Sequence, residues 1–290
     1  MTVEVLRYAA FTRNGQGGNP AGVVLDAGCL ADAQMLAIAQ AIGFSETAFL
    51  RPLEAGEEWF DIRYFSPRAE VAFCGHATIA TAVAHAERHG TGRLHLLTPA
   101  GPVTVDTMHA AAGVTATLTS PPATARPVAP ALLERALTAL RWQESDLHRD
   151  YPSQVASAGN DHLVVGVASP AVLDRFDYDY PLLSRLMADE GWTTVHAFWP
   201  DTDGRFQARN AFPPGGVVED PATGAAAAAF GGYLRDLGRL PSGRTVTVLQ
   251  GHHMGAPSEL LISPASDGRR MRVSGSATPL VLPFYDQELM

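Results

Sequence analysis

Short apolar runs separated by glycine and proline dominate the hydrophobic pattern of the chain. They occur in VEVLRYAAF, AGVVLD and TAFLR and, further along, in HLVVGVAS, TVHAFWP, RFQARNAF, TVTVLQG, ELLIS and MRVSGSA. Runs of this length and composition predict β-strands. Because strands outnumber helices and follow one another closely, we expect mostly antiparallel sheets.

Helical periodicity is confined to a few segments. Residues 31–42, ADAQMLAIAQAI, have apolar positions at helical spacing and stop at Gly43, a residue typical of helix C-termini. ALLERALTAL follows a segment rich in proline and small residues, 118–130, which we interpret as an interdomain linker. The glycine-rich stretch at 14–20 connects two predicted strands, which indicates a hairpin. A dinucleotide fingerprint would require a helix after the glycines.

Two distant stretches resemble each other. RYFSPRAEVAFCGHATIATA (63–82) and RNAFPPGGVVEDPATGAAAA (209–228) both run from arginine and phenylalanine through proline and a loop to Ala-Thr and a helix of small residues. The helices are expected to end at Gly90 and Gly238. We interpret the pair as an internal repeat.

The repeat predicts the architecture, because helices that are apolar on most faces belong in a core. We expect an α+β fold of two similar lobes, each a mostly antiparallel sheet or barrel around a central helix. The predicted lobes are residues 1–118 and 119–290, and the last strand is allowed to return to the first lobe. A chain of 290 residues is long enough for two such cores.

Composition narrows the range of partners. With 21 basic and 30 acidic residues the formal charge is −9, so no basic surface for nucleic acid is expected. The N-terminal sequence MTVEVLRYAAFTR does not resemble a signal peptide, and no apolar run of about 18 residues occurs. We therefore expect a soluble, cytoplasmic protein without membrane contact. Cys29 and Cys74 are far apart, which argues against a disulfide framework or a thiolate metal site.

The absence of lysine excludes several reaction classes. All 21 basic residues are arginine. Pyridoxal phosphate enzymes and Schiff-base aldolases require a lysine amine, and a Walker A loop requires a lysine at the phosphates. The chemistry must therefore use other side chains.

The starts of the two alanine-rich helices are candidate anion sites. The first N–H groups of a helix have no intrahelical partner and lie at the positive end of its dipole. His76 at the first start would donate to a substrate or assist proton movement, unless it is a buried histidine with a structural partner. Asp220 at the second start would accept from a substrate hydroxyl or amine, unless it only caps its own helix.

Five motifs carry a family resemblance. GGNPAGVVLD, GFSETAFL, RYFSPRAEVAFCGHATIATA, EDPATGAAAAAFGGYL and QGHHMGAPSEL resemble, in order and over nearly the whole chain, the phenazine-biosynthesis PhzF-like family. That family has the diaminopimelate epimerase fold. The resemblance implies two lobes with the active site between them, a cofactor-independent isomerase or epimerase, and a homodimer.

The resemblance also implies the catalytic residues. Glu46 corresponds to the glutamate that moves a proton between substrate carbons, with His76 and Asp220 as the other catalytic residues. If FSETAFL is a strand, Glu46 shares a face with apolar residues, which would favour the protonated carboxyl needed for proton exchange. A surface or capping glutamate is the alternative.

The expected substrate is a small carboxylate-bearing metabolite. Its predicted binding residues flank the two helix starts: Gly75, Ala77, Thr223, Gly224 and Ala225. Family members commonly have serine at the position of Ala225 and arginine at the position of Ala256. These differences leave the identity of the substrate and the net reaction open.

Two other functions remain as alternatives. A racemase of the same fold would place a thiol at each helix start, but only the first start has one, so we expect Cys74 to be a small packed residue. A non-catalytic binding protein that kept the cleft is the second alternative. The pair His252-His253 lies at a strand end, where neighbours point to opposite faces, so no metal site is expected there.

Overall fold

The computed structural model describes residues 3–53, 58–111, 113–201 and 204–280. Contacts within the chain separate two compact units, the first formed by residues 1–118 with 274–290 and the second by residues 119–273. Residues 1–2 and 281–290, the outer ends of the two predicted lobes, lie outside the described residues. Each unit contains one of the two alanine-rich helices.

β-Strand is the most common secondary structure in the described chain. The strands are β1 (Leu6–Ala10), β2 (Asn19–Val24), β3 (Thr47–Pro52), β4 (Trp59–Phe65), β5 (Glu70–Val71), β6 (Arg93–Thr98), β7 (Gly101–Ala110), β8 (Gly113–Pro122), β9 (Thr124–Pro127), β10 (Gln154–Ser157), β11 (Asp161–Gly166), β12 (Trp192–Pro200), β13 (Arg205–Ala211), β14 (Glu219–Asp220), β15 (Val246–Gln250), β16 (Ser258–Pro264) and β17 (Arg270–Pro279). The segment 118–130, predicted as a linker, is largely strand, because it contains the end of β8 and all of β9. The boundary between the two compact units nevertheless falls within this segment, after Leu118.

Six α-helices are present among the described residues. They are α1 (Asp32–Ile42), α2 (Gly75–His89), α3 (Pro130–Leu140), α4 (Pro170–Asp174), α5 (Tyr180–Glu190) and α6 (Gly224–Asp236). The predicted helices at 31–42 and 131–140 are confirmed within one residue, and α1 ends at Gly43 in the left-handed conformation (φ 71°). Among these helices, none is long and apolar enough to cross a membrane.

The first unit is a closed barrel around α2. Strands β1, β2, β3, β4, β6, β7, β8 and β17 pair in that order, and β17 pairs with β1 to close the ring. Every residue of α2 from His76 to Ala84 is buried, and the helix contacts β1, β2, β3 and β7. A helix covered on all faces needs small apolar side chains, which explains its alanines.

The second unit wraps a sheet around α6. Strands β9, β10, β11, β12, β13, β15 and β16 pair in succession, and α6 contacts β9, β10, β11 and β16. Residues Ala226 to Leu234 are all buried. Gly232 lies so close to Ala123 that a Cβ on this glycine would be 2.6 Å from the alanine Cβ. The helix therefore requires a glycine at this position to approach the sheet.

The internal repeat is confirmed by strand pairing. β1–β2–β3–β4 and β10–β11–β12–β13 both pair antiparallel, parallel and antiparallel in succession. In both units a two-residue strand, β5 or β14, then folds back on the fourth strand before the central helix. A strand parallel to the fourth strand follows the helix. These observations confirm the predicted α+β fold with mostly antiparallel sheets.

The arginine that begins each repeat holds the short strand in place. Arg63 donates to both carboxylate oxygens of Glu70 in β5 (2.7 Å each). Arg209 donates to Glu219 in β14 (3.0 and 2.6 Å), where both side chains are largely buried. Such two-point contacts between guanidinium and carboxylate are geometrically specific. They fix the chain immediately before each central helix.

A buried polar network lies in the second unit. His162 Nδ1 and Thr194 Oγ1 are 2.8 Å apart, and Thr194 donates to Asn210 Oδ1 (3.1 Å). His196 Nδ1 is 3.3 Å from the same Asn210 oxygen, and its ring packs on Phe230 of α6. Burial lowers the pKa of His162 to about 3 and that of His196 to about 4. Both imidazoles are therefore neutral at pH 7.

We predict that Gly232→Ala destabilises the protein. The new methyl group would overlap Ala123, and neither atom belongs to a flexible side chain that could move away. Overpacking of this kind costs about 1–3 kcal/mol, more than the ~1 kcal/mol that alanine gains over glycine in a helix. Urea unfolding should show a lower midpoint for this variant. The control Gly92→Ala, where an added Cβ meets no atom within 4 Å, should leave the midpoint nearly unchanged.

We also predict that the two buried histidines make the fold sensitive to acid. The unfolded chain binds protons at these imidazoles below a pKa of about 6.5, whereas the folded chain does not. Their stabilisation is complete above that pH and falls as the pH drops, by about 1.4 kcal/mol per histidine between about pH 7.5 and 5.5.

The acid sensitivity can be assigned with one variant. In His196→Leu, the leucine side chain should still pack against Phe230 but has no proton to bind. The change in the free energy of unfolding between about pH 7.5 and 5.5 should therefore be about 1.4 kcal/mol smaller than in the wild type. His109→Gln, at an exposed position, is the control and should keep the wild-type slope. An unchanged slope in His196→Leu would contradict the assignment.

Candidate active site

Glu46 lies immediately before β3 and not within a strand as the apolar face of FSETAFL suggested. The strand begins at Thr47, which pairs with Gly22 of β2, and the backbone carbonyl of Glu46 accepts from the Gly22 N–H (3.1 Å). Thr47 is fully buried and leaves no space for a Cβ at position 22. This close approach anchors the backbone of Glu46, whose side chain remains 17% exposed.

The start of α2 places a thiol and an imidazole beside Glu46. Cys74 is extended (φ −143°) and its carbonyl accepts from the N–H and the hydroxyl of Thr78 (3.0 and 2.7 Å), which closes the first helical turn. Gly75 is the first helical residue, and His76 follows it. Cys74 and His76 are both buried, so the helix start is a mostly enclosed polar site.

Three side chains meet at this point. His76 Nε2 is 3.4 Å from Glu46 Oε2, and the Cys74 thiol donates to the same carboxylate oxygen at 3.5 Å. The Cys74 sulfur is also 3.4 Å from His76 Nδ1 and 3.7 Å from Nε2. The surroundings of Glu46 are thus polar, unlike the apolar face expected from the sequence. A carboxylate next to an imidazole can accept and return protons.

Two further residues support the His76 ring and the helix start. Ser45 Oγ is 3.3 Å from His76 Nε2. Behind the helix start, the hydroxyls of Tyr64 and Thr78 are 2.6 Å apart in a buried pair. Burial raises the pKa of Tyr64, so its hydroxyl stays protonated at neutral pH.

The second unit has its own polar cluster at the start of α6. Thr223 Oγ1 donates to Asp220 Oδ2 (2.6 Å), and both residues precede the first helical residue, Gly224. The buried Gln250 donates to the Asp220 carbonyl (2.6 Å) and to Thr223 Oγ1 (3.0 Å). This network orients the Asp220 carboxylate. The predicted binding residue Ala225 is the second residue of α6 and is half-buried.

The loop after β15 is pressed against this turn. Gly251 is left-handed (φ 74°), and a Cβ there would lie 2.2 Å from the Ala256 carbonyl oxygen and 2.7 Å from that of Pro221. Only glycine allows the three backbones to approach this closely. The QGHHMGA motif therefore holds Gln250 and Ala256 at the Asp220 turn.

The predicted residues form one group in each unit. The first unit contains Glu46, Gly75, His76 and Ala77. The side chain of Ala77 is fully buried, so only its backbone groups can bind a substrate. Asp220, Thr223, Gly224 and Ala225 lie together in the second. No local sequence pattern predicts the contacts of three further residues, although each belongs to a motif that carries the family resemblance: Ser45, Cys74 and Gln250.

Other features lie away from these clusters. His252 and His253 belong to a short 3₁₀ helix, and His253 pairs with Asp174 (2.8 Å). A surface cavity of about 820 Å³ is lined by residues around the C-terminal end of α2, including His85 and Arg93. It shares no lining residue with the cluster at the helix start.

Glu46, Cys74 and His76 could also bind a metal ion. One donor atom from each side chain lies within 4.8 Å of the other two, and no other such group of three ligands occurs in the described parts of the chain.

Comparisons with known proteins agree with the motifs. The phenazine biosynthesis-like protein family matches residues 8–281. An uncharacterized isomerase of Deinococcus radiodurans is 34% identical over 280 residues, covering 93% of this chain and 90% of the relative. The trans-2,3-dihydro-3-hydroxyanthranilate isomerase of Pseudomonas fluorescens is 32% identical over 267 residues, covering 89% and 90%. A PhzF-family phenazine biosynthesis protein of Bacillus anthracis superposes with a TM-score of 0.85 at 25% identity, covering 97% and 98%. This chain therefore belongs to the phenazine biosynthesis-like protein family.

Proposed function

We propose that this protein is an isomerase that moves a proton between two carbons of a small carboxylate-bearing metabolite, with Glu46 as the acid and base. The main support is the contact between Glu46 Oε2 and His76 Nε2 at the start of α2 (3.4 Å). The relatives named as isomerases support the reaction class. The absence of lysine rules out an imine intermediate on the protein.

The proton transfer uses one carboxyl group twice. Glu46, as a carboxylate, removes a proton from one substrate carbon, and the electron pair left behind shifts along the substrate. Glu46, now a carboxylic acid, returns the proton to a second carbon. The adjacent His76 donates a hydrogen bond to negative charge on Glu46 or on the substrate.

The helix start provides a binding group for the substrate carboxylate. The N–H groups of Gly75, His76 and Ala77 belong to the first turn of α2, where no intrahelical acceptor exists. We assign a substrate contact to Asp220 in the second unit, because Thr223 and Gln250 hold its carboxylate and backbone in place. Thr223, Gly224 and Ala225 contribute the first turn of α6.

The family resemblance also supports a proposal on the oligomeric state and on the cofactor requirement. The protein is proposed to act as a homodimer and to need no cofactor for the isomerisation. Light scattering tests the dimer, and turnover by metal-free protein tests the cofactor.

A two-thiol racemase is less well supported, because Cys29 is exposed between β2 and α1 and the start of α6 has Asp220 and Thr223 in place of a thiol.

We predict that Glu46→Gln abolishes most of the turnover. Glutamine keeps the shape of the side chain but cannot exchange a proton with carbon, and loss of a general acid or base commonly costs about 100- to 10,000-fold in rate. Binding of a carboxylate at the helix start should largely survive. Turnover of a panel of small carboxylates, including trans-2,3-dihydro-3-hydroxyanthranilate, is the measurement.

Deuterated water distinguishes the acid/base role from a structural one. The wild-type protein should place deuterium at the receiving carbon, and less than full incorporation would indicate that Glu46 carries the substrate's own proton. Glu134→Gln, an exposed residue of α3, is the matched control and should behave as wild type. Near-normal turnover by Glu46→Gln would disprove the assignment. Binding without any turnover by the wild type would favour a non-catalytic binding protein.

We further predict that Ala225→Ser changes the order of preferred substrates. The new hydroxyl would lie in the first turn of α6, where a hydrogen bond to a charged group contributes about 1.5–3 kcal/mol, or at least about tenfold in kcat/KM. Ala131→Ser is the matched control, since Ala131 is also the second residue of a helix and is exposed. An unchanged order of kcat/KM values would show that this position does not determine specificity.

A further inference from the structure

The cluster of Glu46, Cys74 and His76 has the donor set of a zinc site. It offers one carboxylate oxygen, one thiol sulfur and one imidazole nitrogen, and all three types are common ligands of Zn²⁺ in proteins. The set does not suit Mg²⁺ or Ca²⁺, which prefer oxygen ligands alone. Sulfur and nitrogen donors together favour a borderline-soft cation.

The distances between the donors match a tetrahedral site. Zinc bonds are about 2.3 Å to sulfur and about 2.0–2.2 Å to nitrogen and oxygen, so two ligands in tetrahedral geometry lie about 3.6 Å apart when one is sulfur and about 3.4 Å apart for nitrogen and oxygen. The observed separations are 3.5 Å for Cys74 Sγ and Glu46 Oε2, and 3.7 Å for Cys74 Sγ and His76 Nε2. Because the sulfur lies closer to His76 Nδ1 (3.4 Å), the imidazole ring must turn on metal binding to direct the Nε2 lone pair at the shared ion. Glu46 Oε2 and His76 Nε2 are 3.4 Å apart.

The backbone around the donors is well anchored. Cys74 and His76 flank Gly75 at the start of a helix whose first turn is closed on the Cys74 carbonyl, and the Glu46 carbonyl is bonded to β2. Cys74 and His76 are only about 8% exposed, whereas the 17% exposure of the Glu46 side chain leaves a route from solvent. An anchored site with three ligands and one open position is typical of zinc sites that also bind water or substrate.

We propose that Glu46, Cys74 and His76 bind one Zn²⁺ ion and that this binding inhibits the protein. Binding releases the thiol proton to the buffer and places the cation between the three donors. The bound cation occupies the carboxylate oxygen and the imidazole nitrogen that proton transfer requires. The metal site rests on the donor set and the short separations of its atoms, whereas its inhibitory effect rests on the proposed function.

Cobalt(II) tests the site without any substrate. Added to the full-length, metal-free protein, Co²⁺ should give the intense visible bands of a tetrahedral complex and a near-ultraviolet charge-transfer band from thiolate. The Cys29→Ser protein contains Cys74 as its only cysteine, so a thiolate band in this variant must come from Cys74. Zn²⁺ should displace Co²⁺ at one ion per chain. Absence of the thiolate band in Cys29→Ser would overturn the proposal.

Replacing single donors identifies the remaining ligands. Equilibrium dialysis should show weaker Zn²⁺ binding in each of three variants: Cys74→Ser, His76→Gln and Glu46→Gln. Loss of a residue that only supports a zinc ligand typically lowers metal affinity about 10- to 100-fold, and loss of a ligand itself should lower it more. His252→Gln/His253→Gln removes the exposed histidine pair and is the control, with unchanged affinity expected. Loss of binding in this control, with retention in Cys74→Ser, would place the zinc elsewhere and overturn the proposal.

Turnover measurements test the inhibition separately. Saturating Zn²⁺ should abolish isomerisation by the wild type, and a chelator should restore it. Because zinc and substrate compete for the same site, more substrate should raise the Zn²⁺ concentration needed for inhibition. Full turnover with the site loaded would overturn the inhibitory role. Absence of turnover in metal-free protein would count against the proposed isomerase, while the cobalt spectrum would still decide whether the metal site exists.

Discussion

Each unit encloses a helix that is buried on nearly all of its faces, and this burial limits which side chains the helix can have. In the first unit eight strands close around α2, and in the second a sheet wraps α6. Such a helix can carry only side chains that fit the enclosing sheet, which accounts for the alanines of α2 and for Gly232 in α6. The polar chemistry is consequently concentrated at the helix starts, where Cys74 and Asp220 precede the buried stretches.

The placement of the two helix starts depends on interactions that recur in both units. Arg63 holds Glu70 in the short strand before α2, and Arg209 holds Glu219 in the corresponding strand before α6. These arginines are the first residue of each sequence repeat. The residues that the two repeats share therefore have a structural role, because they fix the chain where it enters a buried helix. The side chains at the two helix starts are not the same.

The two repeats differ in the side chains at their helix starts. The first unit combines Glu46 with a thiol and an imidazole, whereas the second combines Asp220 with Thr223 and Gln250. The same backbone arrangement thus presents a carboxylate with a thiol and an imidazole in one unit, and a carboxylate with a hydroxyl and an amide in the other.

The sequence alone establishes the strands, the repeat and the identity of the candidate residues, because hydrophobic period, glycine positions and motif order are local properties of the chain. It also determined that imine chemistry on lysine is excluded. The position of Glu46 before β3, and not within it, depends on the folded chain, since the close contact of Thr47 with Gly22 sets where the strand begins. The contacts of Cys74 with Glu46 and His76 also form only in the folded chain. Contacts between residues 28 positions apart depend on how the sheet closes around the helix, and no local pattern specifies that closure.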